Sequence, residues 1–202
     1  WMIEAVVFDL DGVLVDTEQV WDDVRKRLAY EQGGRWHVGA QAAMMGMSSL
    51  EWSQYMHDVV GLPGTPAEIN AEVVERMLAR YRRALPLIDG AVDAVRRLAA
   101  RFPLAVASSS NPELIQVVLD AAGLHDVIPV VVSSQEVARG KPAPDVYLDA
   151  ARRLAVDAVR CPAGGDSHTG IRSAKAAGLR VTAVPNPHFP PAPDAAAPAA
   201  GW

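Results

Sequence analysis

The 202-residue sequence predicts an α/β fold: a parallel sheet with helices on both faces, interrupted by an inserted helical block. Three observations predict it. From Ile3 to Phe8 the chain is rich in apolar strand formers, the pattern of a buried parallel strand. From Gly90 onward, short apolar strands alternate with helical patterns. Between the two, residues 17 to 86 read as helices throughout.

In order, the first strand ends at Asp9-Leu10-Asp11-Gly12, where Gly12 supplies the permissive dihedrals of a turn. Thr17 is the expected N-cap of a helix over 17–31, with Val20, Trp21, Val24 and Leu28 on its apolar face and Gly33-Gly34 ending it. A methionine-rich block from Gln41 to Met47 follows, and Ser48 or Ser49 can cap a helix running to about Val60. Thr65-Pro66 opens a helix striped by Ile69, Val73, Met77 and Tyr81. The alternating part then gives a helix over 91–100, a strand over 104–107, a helix opened by Asn111-Pro112, and a strand over 127–132 broken early by Pro129. Ala143-Pro144-Asp145 starts a helix to about Leu154, residues 169–177 form another, and 180–184 are the fifth strand. The fourth strand, over 159–164, contains Cys161-Pro162-Ala163-Gly164, which is poor strand material. The expected division is a core of residues 1–16 plus 87–187, a helical insertion of 17–86, and an irregular Pro/Ala-rich tail of 188–202.

Half the residues are hydrophobic, enough for a substantial core, and the net charge of −5 argues against nucleic acid as a partner. No stretch of about 18 apolar residues predicts a membrane span, and nothing in the composition implies a protein partner. The single cysteine, Cys161, excludes an internal disulfide and reads as a small buried hydrophobe. No leader pattern precedes the first strand, so the expected location is cytoplasmic.

In a parallel sheet the strand carboxyl ends share one edge, where ligands bind. That edge gathers Asp9 and Asp11, Ser108, Lys141, and Asp166-Ser167. Paired acids there can ligate a hard cation, divide into nucleophile and general acid/base, or merely cap a turn. Ser108 and Asp166 each read equally as helix-start residues, and Lys141 as a solvated lysine. Together they can hold a phosphoryl group: a carboxylate attacks, a second moves the proton, a hydroxyl holds oxygens and a lysine neutralises charge.

Four segments in order, Phe8-Asp9-Leu10-Asp11-Gly12-Val13-Leu14, Ala107-Ser108-Ser109-Ser110-Asn111, Gly140-Lys141-Pro142-Ala143-Pro144-Asp145 and Gly165-Asp166-Ser167-His168-Thr169-Gly170, resemble the haloacid dehalogenase superfamily in its phosphatase and β-phosphoglucomutase-like branch. The resemblance covers residues 3 to 187 and implies a Rossmann-like core with a mobile α-helical cap. It implies a Mg2+-dependent phosphatase acting on a small phosphorylated metabolite. Asp9 would be the nucleophile, Asp11 the general acid and base, and Lys141 the partner of Asp9 and the phosphate. Ser108 would hold phosphate oxygens with the amides of Leu10, Asp11 and Ser109, and Mg2+ would sit on Asp9, the Asp11 carbonyl and Asp166. Trp21, Gly46, Met47 and Ser49 fall where the cap would meet substrate.

The sequence departs from the family at two places. Gly165 and Gly170 stand where relatives often carry a further acid, so Asp166 is expected to hold the dication with fewer charges and more weakly. Trp21 and Ser49 stand where β-phosphoglucomutases carry a histidine and a phosphate-gripping arginine, which favours hydrolysis over phosphoryl shuttling. The alternatives are a phosphomutase and a noncatalytic member that binds a phosphorylated metabolite.

Overall fold

Five parallel strands pair in the order β3-β2-β1-β4-β5: β1 Val6–Phe8, β2 Leu104–Ser108, β3 Val130–Ser133, β4 Pro162–Gly165 and β5 Arg180–Ala183. The computed structural model describes residues 2–184, so the expected tail of 188–202 lies outside the described residues. Alternate residues of the central strands feed two separate cores. Val6, Phe8, Leu104 and Val106 face one, with Leu114, Ile115 and Val118 of α6 (Pro112–Ala122). Ala5, Val7, Ala105 and Ala107 face the other, under α7 (Asp145–Arg153) and α8 (His168–Ala176). Burial on both faces explains why these strands are apolar runs rather than alternating ones.

Strand boundaries follow from hydrogen-bond supply. β1 begins at Val6, not Ile3, and β3 begins after Pro129, which has no N–H to give a ladder. The expectation of a weak fourth strand gives way to an interior strand paired on both sides, with Pro162 at its first position, where proline is tolerated. Cys161 is buried, and burial pushes its thiol up to about 11.

Four helices lie between β1 and α5 (Ala91–Ala99): α1 Glu18–Glu31, α2 Ala40–Met44, α3 Ser49–Asp58 and α4 Pro66–Arg83. The α4 stripe of Ile69, Val73, Met77 and Tyr81 is buried, and α4 packs against α1, α3 and α6. Ser48 and Thr65 cap α3 and α4 in full capping boxes with Glu51 and Glu68. The two segments that join these helices to the sheet hold each other: Asp16 N donates to Pro86 O at 2.8 Å and Ile88 N to Leu14 O at 3.1 Å. No helix among the described residues is long and apolar enough to cross a membrane.

Candidate active site

The sheet reverses its strand order beside β1, and Asp9 and Asp166 follow the two neighbouring strands β1 and β4 at that point. The backbone after β1 turns sharply, with Leu10 O accepting from the amides of Val13, Leu14 and Val15. Gly12 has φ +72°, and a Cβ there would lie 1.8 Å from Asp166 Oδ2, so both the turn and the close approach of Asp166 require glycine. Above this edge the inserted helices roof a small cavity. Asp9, Asp11, Ser109, Ser110, Lys141, Asp166 and Ser167 form its floor, and Glu18, Trp21, Arg25, Met44 to Met47 and Trp52 its roof.

Lys141 Nζ donates to Asp9 Oδ2 at 2.6 Å, with both residues buried, and the Lys141 ammonium lies 5.1 Å from the centre of the Tyr147 ring. Asp9 Oδ1 accepts from the Leu10 amide at 2.9 Å. Burial pushes the Asp9 carboxyl above its ordinary value, and the Lys141 ammonium pulls against it. Asp11 is held from three directions. Its Oδ1 accepts from Thr17 Oγ1 and from Trp21 Nε1 at 3.2 Å, and its Oδ2 accepts from Ser110 Oγ at 2.6 Å. Thr17 occupies the N-cap position of α1 but makes no side-chain cap bond, because its buried hydroxyl serves the carboxylate instead.

Among the described residues no group of three or more His, Cys, Asp or Glu side chains is arranged to hold a metal. What the floor offers a cation is all oxygen: the Asp9 and Asp166 carboxylates and the Asp11 carbonyl. The Asp166 carboxylate lies against the Gly12 turn, next to Asp11 in the chain. Burial first, and then the nearby charges of Asp11 and Asp166, push Glu18 up to about 8. Such donors fit Mg2+, which takes one or two carboxylates and keeps waters.

Of the residues singled out in the sequence, the structure brings Asp9, Asp11, Trp21, Gly46, Met47, Ser109, Lys141 and Asp166 to the cavity wall. Three do not reach it. Ser108 is fully buried beneath the floor, where its Oγ accepts from Ser110 N at 3.0 Å and braces the loop. Leu10 has a buried side chain and an amide already engaged by Asp9. Ser49 sits in the seam between roof and floor, accepting from Gln135 Nε2 at 2.6 Å. The glycine at 165 also differs in meaning from the sequence expectation: its Cβ would point at Ile171 Cγ1, 3.7 Å away, so an acid there would enter the packing of α8. Glu18, Arg25 and Ser110 were missed as wall residues. Glu18, Trp21 and Arg25 recur at helical spacing on α1, the signal that could have found them.

A family description of haloacid dehalogenase-like hydrolases matches residues 3–178. Hexitol phosphatase B of Escherichia coli (strain K12) is 32% identical over 195 residues, covering 92% of this chain and 85% of its own length. The bifunctional riboflavin kinase/FMN phosphatase of Arabidopsis thaliana is 32% identical over 184 residues, and the chain spans only 48% of that protein's length. The crystal structure of CbbY from Rhodobacter sphaeroides in complex with phosphate superposes with a TM-score of 0.78 at 28% identity, covering 89% of this chain and 85% of that one.

Proposed function

The chain belongs to the haloacid dehalogenase-like hydrolases, and from that premise we propose a Mg2+-dependent phosphatase that hydrolyses a small phosphorylated metabolite through an aspartyl-phosphate on Asp9. The observation that carries this reading is the buried Lys141–Asp9 pair at 2.6 Å, set beside an Asp11 carboxylate gripped by three donors, all open to one small cavity. Relatives named as phosphatases support it, as does a relative solved with phosphate.

In the first half-reaction an Asp9 carboxylate oxygen attacks phosphorus. The bond from phosphorus to the ester oxygen breaks, and that oxygen leaves with the electron pair and the proton of Asp11. While Asp11 carries this proton, the Thr17 or Ser110 hydroxyl can turn from donor to acceptor without moving its oxygen. In the second half, Asp11 takes a proton from a water that attacks phosphorus, and the bond to Asp9 breaks to release inorganic phosphate. Lys141 balances charge on Asp9 and the transferring oxygens, helped by the amide of Ser109. Asp9, Asp166 and the Asp11 carbonyl would hold Mg2+, which supplies further charge neutralisation when bound. The roof excludes bulk water, so these charges act in a poor dielectric.

Phosphate release from phenyl phosphate, with Mg2+ and with chelator, tests the proposal. Activity should require Mg2+ and vanish in Asp9→Asn, whose amide cannot form the acyl-phosphate. Activity that survives in purified Asp9→Asn assigns the nucleophile elsewhere, and a wild-type protein that binds phosphate without turnover supports the noncatalytic alternative.

A further inference from the structure

The roof of the cavity carries a cation that the phosphoryl chemistry does not use. Arg25 extends from α1 with its Cζ 4.4 Å from the Trp21 ring centre and 4.7 Å from that of Trp52. The two indoles meet edge to face at 5.9 Å. Arg25 Nη1 donates to Gln41 Oε1 at 3.2 Å, and Gln41 Nε2 donates to Glu18 Oε2 at 3.0 Å. All three side chains are more than nine-tenths buried, with Arg25 4%, Gln41 3% and Glu18 6% exposed. Arg25 Nε nevertheless has no hydrogen-bond partner among the described residues. An orphaned, charge-bearing donor on the wall of a cavity is costly unless a ligand completes it.

We infer that Arg25 and Glu18, held in place by Gln41, form the subsite that reads the leaving group, and that this group is a neutral polyhydroxylated chain or ring rather than one carrying a second phosphate or a carboxylate. The inference rests on the phosphatase reading above. Its chemical argument is the mixture of groups presented. Arg25 donates through Nε while the Glu18 carboxyl accepts, and hydroxyls do both, so adjacent hydroxyls match such a pair. An anionic leaving group needs donors alone, and would face the Glu18 and Asp11 carboxyl groups across the same small space. The charge of Arg25 is already answered within the protein by Asp11, which acts on it electrostatically. Trp21, Trp52, Met44 and Met47 offer apolar walls to the carbon skeleton between the hydroxyls. The guanidinium lies close to both indoles, a contact that its planar, weakly hydrated cation suits better than a lysine ammonium would.

The test compares kcat/KM for a hexitol phosphate, phenyl phosphate and 2-phosphoglycolate in the wild type, in Arg25→Met and in Glu18→Gln. The wild type should favour the hexitol phosphate over both others by at least about tenfold, the discrimination expected when buried polar groups are left unpaired by the wrong substrate. Arg25→Met, confirmed as folded by its melting transition, should lose most of that preference through KM for the hexitol phosphate. Should Arg25→Met not fold, Glu18→Gln reports on the same pair, and the preference should fall there too. A wild-type preference for phosphoglycolate, or a hexitol preference kept by a folded variant, overturns the inference while leaving the phosphatase standing. Failure of the wild type on all three, phenyl phosphate included, overturns the phosphatase reading itself.

Discussion

Four carboxylic acids, Asp9, Asp11, Glu18 and Asp166, line the cavity with two cations, Lys141 and Arg25, and that imbalance governs the behaviour of single residues. Glu18 shows it most clearly. Its carboxyl moves from 4.5 to about 8, first through burial and then through the charges of Asp11 and Asp166, with Arg25 and Gln41 opposing. The folded protein therefore keeps a proton that the unfolded chain gives up, and this stabilisation, full below about pH 4.5, is lost as pH rises through about 8. Urea unfolding in chelator at about pH 6 and about pH 9 should show stability falling with pH, and Glu18→Gln should flatten that fall. Asp11→Asn should slow turnover by on the order of 10² to 10⁴, as lost acid–base catalysis does, with phosphate inhibition retained. The four motif segments made Asp9, Asp11, Lys141 and Asp166 legible in the sequence, because their chemistry is local to a strand end. Arg25 and Glu18 were not read, because a charged residue on a mostly apolar helix face looks like solvent exposure until the partners from α2 and α3 are known. Ser49 erred the other way: its register along the chain suggested the cavity, but Gln135, far off in sequence, draws it into the seam.

Among the elements, the turn between α2 and α3 is the one most tightly fitted to the sheet edge. Met45 O accepts from Thr169 Oγ1 at 3.3 Å and Gly46 O from Ser109 Oγ at 2.9 Å, so two core loops hold the roof by its backbone. Gly46 has φ +73°, and its Cβ would lie 1.7 Å from Thr169 Oγ1. Gly46→Ala should therefore hold the roof off the floor, reducing kcat/KM at least tenfold while costing about 1–2 kcal/mol of stability from the left-handed backbone; activity assay and urea unfolding check the two separately. On α8, a Cβ at Gly170 would stand 2.8 Å from Asp9 Oδ2, so Gly170→Ala should impair phosphoryl transfer more than folding, read as kcat against the unfolding midpoint. Element types were legible wherever apolar periodicity met a capping signal, as at Thr65-Pro66 and the α4 stripe. β4 was the hardest to read, since Pro162 and its glycines carry no strand propensity. Its pairing with both β1 and β5 makes it a strand, and that information lies in other segments of the chain.

For the whole molecule, the consequence of placing a helical roof over a strand-edge floor is a choice between giving the phosphoryl group to water and returning it to a sugar. Shuttling needs a cap group that grips a second phosphate, and arginine is suited to that task. Arg25 is the arginine on the cavity wall, and it is bound to Gln41 and packed close to two indoles, which leaves it poorly placed to take a phosphate fork. Release of inorganic phosphate without a bisphosphate activator is the expected behaviour, and isomerisation of a sugar phosphate faster than phosphate release would favour the mutase instead. Either outcome passes through Asp9, so the most direct measurement is of that carboxyl during turnover. Wild-type protein is quenched rapidly while hydrolysing substrate with Mg2+, reduced with borohydride and mapped by peptide mass spectrometry. The account predicts homoserine at position 9, the reduction product of an acyl-phosphate, present only with substrate and Mg2+. An unmodified Asp9 in enzyme trapped during burst-phase phosphate release, or homoserine formed at another aspartate, would contradict it.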